Sequence, residues 1–235
     1  MTIEEYFGDW LRVIDKQELY KVINKINMLY KTQQCEPAYN NIFKAFNITP
    51  YSDLCIVSLA QDPYPQKGVA TGICFGNQKS VSKLSPSLEV LKEAVINFEI
   101  PHNLITFDPS LEEWSKQGVL LLNSALTVEV DKPNSHSVIW RPFIISLLRN
   151  LSAINPGLIY ILWGTEAKTF RRYISNTNNV YTMPHPAYCA RTNTKIPHSL
   201  FNELNTLLYL QYGRRIEWYK EETFEYEEVC NYEDR

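Results

Sequence analysis

The chain has 235 residues, 45% of them hydrophobic and 21% charged, which is enough for one sizeable core and sets the expectation of one domain over residues 1–235. A net charge of −3 excludes a global basic field for gripping nucleic acid, though not an enzyme that touches a few phosphates with neutral donors. The five cysteines (Cys35, Cys55, Cys74, Cys189, Cys230) are odd in number and lack CxxC spacing, which argues against a disulfide framework, a zinc site or an iron–sulfur cluster.

The N-terminus starts acidic and has no secretory pattern, and no apolar run reaches membrane-span length. An intracellular protein without a membrane partner is expected. Residues 1–50 read as helices: Trp10, Leu11 and Ile14, then Leu19, Val22, Ile23, Ile26, Leu29 and Tyr30, recur at helical spacing. Pro37 interrupts, and Ala38–Phe46 predicts a third helix.

Leu54–Ala60 predicts a strand, apolar on both faces and therefore interior to a parallel sheet. A helix is expected over Pro86–Glu99, with Ser85 or Ser87 as N-cap, and a shorter one over Pro109–Gln117. Val119–Asn123 is the second strand, with Asn134, Ser135 and His136 in the loop that follows. Arg141–Ile154 reads as helix and Leu158–Trp163 as strand, and Gly164 and Thr165 open a further helix. Val180–Met183 is a short strand running into His185 and Pro186, Pro197–Leu210 is the last long helix, and residues 219–235 form a charged tail behind a core of 51–218.

This alternation implies a three-layer α/β/α fold around a central four-stranded, mostly parallel sheet. Ligands bind such sheets beyond the carboxyl ends of the strands. Here those ends carry Gln61 and Asp62, Asn123, Gly164 and Thr165, and His185. Each alone is an ordinary turn or cap residue. Together they put a carboxylate, a carboxamide, a Gly-Thr turn and an imidazole around one cleft. Asn123 suits the edge of a base, Phe75 suits stacking, and Asp62 suits an oxocarbenium-like centre. Without a second carboxylate, the chemistry fits a leaving group that departs as an anion hydrogen-bonded to His185, such as an N-linked nucleobase.

Those residues lie in motifs that resemble family 1 uracil-DNA glycosylases. Ala60–Phe75, AQDPYPQKGVATGICF, is similar to that family's GQDPYHGPNQAHGLCF, and Trp114–Thr127, WSKQGVLLLNSALT, to its WAKQGVLLLNAVLT. Asn134-Ser135-His136 resembles NSH, Leu162–Thr165 resembles LWGS, and His185–Tyr188 stands where the family has HPSP. The likeness covers roughly Pro37 to Trp218.

The resemblance implies a monofunctional glycosylase that flips uracil out of DNA and cleaves its N-glycosidic bond without metal or cofactor, initiating base excision repair. It assigns Asp62 to the sugar cation or attacking water and His185 to uracil O2. Gln61 lends its backbone N–H to a uracil oxygen, Tyr64 excludes the thymine methyl, Phe75 stacks on the base and Asn123 reads its O4/N3 edge. Ser85, Ser87, Gly164, Thr165 and Ala187 fall in loops that hold the DNA backbone. The implied partner is uracil-containing DNA, single- or double-stranded. The family also admits a DNA-mimic protein inhibitor, and the chain is expected to be a monomer. The compartment is the cytoplasm for a bacterial source and the nucleus or viral factory for a eukaryotic or viral one.

Two departures stand out. Pro65 replaces the histidine that follows DPY in most of the family, as in poxvirus members, which puts rate in question more than reaction type. The leucine that enters the duplex is replaced, on a gapless reading, by Cys189. Tyr188 or Arg191 filling the gap, or a weak wedge, are the readings left open. A weak wedge predicts a preference for single-stranded or mispaired uracil. The competing class is a replication accessory protein on the same fold with reduced catalysis. A serine hydrolase fails for want of a GxSxG elbow.

Overall fold

The computed structural model describes residues 2–79, 82–96 and 105–221. In chain order its elements are α1 (Ile3–Phe7), a 3₁₀ turn over Gly8–Arg12, α2 (Lys16–Thr32), β1 (Cys35–Glu36), α3 (Lys44–Ile48), β2 (Ile56–Ala60), α4 (Pro86–Val95), β3 (Ile105–Thr106), α5 (Glu112–Lys116), β4 (Val119–Asn123), β5 (Val128–Glu129), α6 (Ser137–Ile154), β6 (Ile159–Trp163), α7 (Gly164–Lys168), β7 (Asn179–Met183), α8 (Pro186–Thr192), α9 (Ser199–Tyr212) and β8 (Lys220–Glu221).

The central sheet has the order β4-β2-β6-β7 and every pair in it is parallel. Every residue of β2, β4 and β6 is buried, as continuous apolar runs require when helices cover both faces. Alternation along the strands divides the core. Val57, Leu59, Leu120, Leu122, Tyr160 and Leu162 face α2 and α6, in one cluster with Phe7 and Trp10 of the N-terminal segment. Ile56, Val119, Leu121, Ile159 and Ile161 face the other way, toward α4 and α9. The expected three layers are therefore present.

Four helices differ from expectation at their ends, α9 by running Ser199–Tyr212 instead of Pro197–Leu210. Ala38–Phe46 is a 3₁₀ turn over Tyr39–Asn41 followed by α3, the Asn40-Asn41 pair being a poor helix former. α5 starts at Glu112 because Leu111 is left-handed (φ 58°), while Asp108 accepts from the backbone N–H groups of Ser110 and Glu113 at 3.0 and 3.1 Å. α6 starts four residues before Arg141 and carries Pro142 inside it. The missing Pro142 N–H leaves the carbonyl of Val138, an exposed residue, to solvent. α4 begins where expected, capped by Ser85; residues 97–99 of the predicted helix and 222–235 of the tail lie outside the described residues.

Candidate active site

All four strand ends open on one cavity of about 570 Å³. Its walls carry Gln61, Asp62, Tyr64 and Phe75 from the segment after β2, and Asn123 at the end of β4. Gly164 and Thr165 line it from the start of α7, and His185 from the end of β7. The in-register pairing of Ala60 with Asn123 brings Asp62 and Asn123 to the same edge. The backbone carbonyl of Gln61 is fixed by the N–H of Ala125 (3.0 Å) and the hydroxyl of Ser124 (2.8 Å).

Asp62 is half-buried, and burial raises its carboxyl above the ordinary range. One opposing interaction is present: its Oδ2 accepts from the backbone N–H of Asn134 at 2.5 Å. Asn134 makes that bond from a left-handed conformation (φ 67°) between β5 and α6. The carboxylate is thus aimed and desolvated, with no cation paired to it among the described residues.

His185 is the N-cap of α8. Its Nδ1 accepts from the N–H of Ala187 at 3.1 Å, which places the ring proton on Nε2. Burial and the nearby charge of Arg191 push its pKa down to about 4, so the ring is neutral at pH 7. The close approach of α7 depends on Gly164, whose φ is +82° and where a Cβ would meet the Cβ of His185 at 3.0 Å.

Phe75 forms the floor, nearly buried at 7% exposure, with φ 64°. Its ring meets the edges of His185 (centroids 5.5 Å apart) and Trp163 (6.0 Å). Trp163, given no site role in the sequence reading, is locked in turn by its Nε1–H on Ser58 Oγ at 2.8 Å. Tyr64 stands beside the floor, its hydroxyl donating to the Phe75 carbonyl at 3.1 Å and lying 2.6 Å from Ser85 Oγ.

Among residues expected at the DNA backbone, Ser87, Thr165 and Ala187 line the cavity, whereas Ser85 does not: it caps α4 and faces Tyr64. The segment after His185 corrects two expectations. It is a helix, α8, rather than a loop, begun by Pro186 at its first position and closed by left-handed Asn193. Cys189 points into the core and is fully buried, so it cannot enter a duplex. Tyr188, 52% exposed, and Arg191 lie at the cavity rim.

The Uracil DNA glycosylase superfamily matches residues 46–209, more than half of the chain. The chain belongs to that superfamily. A uracil-DNA glycosylase of Fusobacterium nucleatum subsp. nucleatum is 34% identical over 221 residues, which cover 90% of this chain and 95% of the relative. The crystal structure of mimivirus uracil-DNA glycosylase shares the fold with a TM-score of 0.71 at 20% identity, covering 93% of each chain. That of a tyrosine-to-phenylalanine variant of the mimivirus protein in complex with UGI does so with a TM-score of 0.74 at 22% identity, covering 86% of this chain and 82% of that one. No group of three or more histidine, cysteine or acidic side chains suited to a metal occurs among the described residues.

Proposed function

We propose that the chain is a uracil-DNA glycosylase that works in this cavity on a base turned out of the DNA stack. The observation that carries the reading is the convergence of Asp62, Asn123, Phe75 and a neutral His185 at the ends of parallel strands. The flipped uracil stacks on Phe75 and pairs its O4/N3 edge with the Asn123 amide. Cytosine leaves that amide mismatched, and an unpaired buried polar group costs more than a lost contact. Tyr64 fills the space a 5-methyl group needs.

As the C1′–N1 bond breaks, the bonding pair leaves with uracil and gathers on O2, where the Nε2–H of His185 donates to it. The Asp62 carboxylate faces the positive charge on the sugar and accepts a hydrogen bond from the water that adds to C1′. The products are uracil and an abasic site. Pro65 offers no side-chain donor to that water, so the rate of the addition rests on Asp62. Ser87 and Thr165 supply neutral donors for phosphates, consistent with the acidic net charge.

The test is release of uracil from oligonucleotides bearing U:A, U:G, single-stranded U and T, read as strand breaks after alkali. Cleavage of the uracil substrates and not of T is expected. No cleavage of any uracil substrate overturns the reading.

The wedge belongs to the same proposal: Tyr188, not Cys189, takes the space the base vacates. Base stacking on an aromatic contributes about 1–3 kcal/mol. Tyr188→Ala is therefore expected to lower kcat/KM on U:A duplex roughly tenfold while leaving single-stranded uracil nearly unchanged. Equal losses on both substrates would remove Tyr188 from that role.

A further inference from the structure

A part-buried polar cluster stands behind the Tyr64 ring. The Tyr64 hydroxyl meets the Phe75 carbonyl at 3.1 Å and Ser85 Oγ at 2.6 Å, with Ser87 and Asn77 also beside it. A carbonyl can only accept, so the Tyr64 proton goes to Phe75. Ser85 must then donate to the Tyr64 oxygen. Ser85 Oγ in turn accepts from the Leu88 N–H at 3.4 Å as the cap of α4, and the Ser85 N–H is held by Asn77 Oδ1 at 2.7 Å. Asn77 is itself 3% exposed. The contacts thus run in one line from Asn77 through Ser85 and Tyr64 to the Phe75 carbonyl.

We propose that Ser85 is a specificity-determining positioning residue: its hydroxyl pins the Tyr64 ring against the Phe75 backbone, so that the ring cannot swing aside for a 5-methyl group. Resting on the glycosylase reading, this replaces the phosphate contact that the sequence resemblance assigns to Ser85. The hydroxyl is committed at both ends, and the residue does not line the cavity. The pin explains how a ring carried on two rotatable bonds rejects a single methyl. A hydrophobic pocket alone discriminates weakly at that scale. A ring fixed at its hydroxyl makes the methyl a clash with a wall that cannot yield.

The experiment measures kcat and KM for uracil and thymine in otherwise identical single-stranded oligonucleotides. Ser85→Ala is expected to narrow the uracil-to-thymine ratio of kcat/KM by about 3- to 10-fold, the worth of one net hydrogen bond, with KM for the uracil oligonucleotide unchanged. Ser85→Gly keeps a good helix start and gives the same narrowing should the alanine variant be unstable. Ser85→Thr restores the ratio. Added to Tyr64→Phe, which has no hydroxyl to pin, Ser85→Ala has no further effect on it. A raised KM with an unaltered ratio would instead mark Ser85 as a DNA-backbone contact and overturn the proposal. So would a ratio that narrows further in the double variant. Wild-type uracil release is the control: its absence defeats the glycosylase reading, whereas its presence with an unaltered ratio in Ser85→Ala defeats only the pin.

Discussion

Asp62→Asn is expected to lower kcat for uracil release by about 10³-fold while the protein folds at least as well as wild type. The first half follows from charge. Among the described residues Asp62 is the one acidic side chain lining the cavity, and an amide of the same shape removes that charge while keeping the Asn134 contact. The second half follows from the raised carboxyl of Asp62. A carboxyl that ionises less readily in the folded chain binds its proton more tightly there than in the unfolded chain. Folding stability therefore falls as pH rises from the ordinary carboxylate range through the raised folded value, and the cost persists at pH 7. Asparagine carries no such cost. The melting temperature of Asp62→Asn at pH 7 should equal or exceed that of wild type, with the gap closing as pH falls toward 4. Activity within tenfold of wild type would take Asp62 out of the reaction. A lower melting temperature at pH 7 would show that the carboxylate is a structural anchor instead.

That site and stability pull in opposite directions at Asp62 explains which parts of the molecule could be read from sequence. Val119–Asn123 and Ile56–Ala60 are legible because strands buried on both faces are unbroken apolar runs, and such a run stops where a polar residue meets the cleft. Their ends, with Gly164 and His185, mark the candidate site in the sequence. The two-residue strands β1, β3, β5 and β8 are too short to carry a period. α8 was invisible for a related reason: in seven residues only Pro186 and Cys189 are buried, too few for a helical stripe, and the His-Pro start that marks it reads equally as a rigid loop. The aim of Asp62 comes from a backbone N–H rather than a side chain, so the NSH resemblance at Asn134 marks the segment but not the contact. Ser85 is the opposite case: a motif names it, but its contact with the Tyr64 hydroxyl, 21 residues away in sequence, is not legible there.

His185→Leu is expected to lower kcat by about 10²–10³-fold, the loss of one donor aimed at an oxygen that becomes negative only as the bond breaks. KM should change little, since a neutral N–H gives ground-state uracil a modest bond. The protonation state sharpens the prediction. With its pKa near 4, the ring stays a neutral Nε2–H donor from pH 7 down to about 5, so His185 itself should cause no fall in wild-type kcat across that range. Below it the ring gains a proton on Nδ1, which sets N–H against the Ala187 N–H and breaks the cap. An NMR titration of the His185 ring with a midpoint near 6.5 would mean that the imidazole titrates as if exposed, and would defeat this account of it. Stability carries the same signature with a definite sign. Between the folded value near 4 and the ordinary 6.5 the unfolded chain binds more protons than the folded one, so stability rises with pH through that window and is lost as pH falls through it. Leucine cannot titrate. Urea unfolding at pH 5 and pH 7 should therefore show a smaller pH difference for His185→Leu than for wild type, even though the variant forfeits the α8 cap at both.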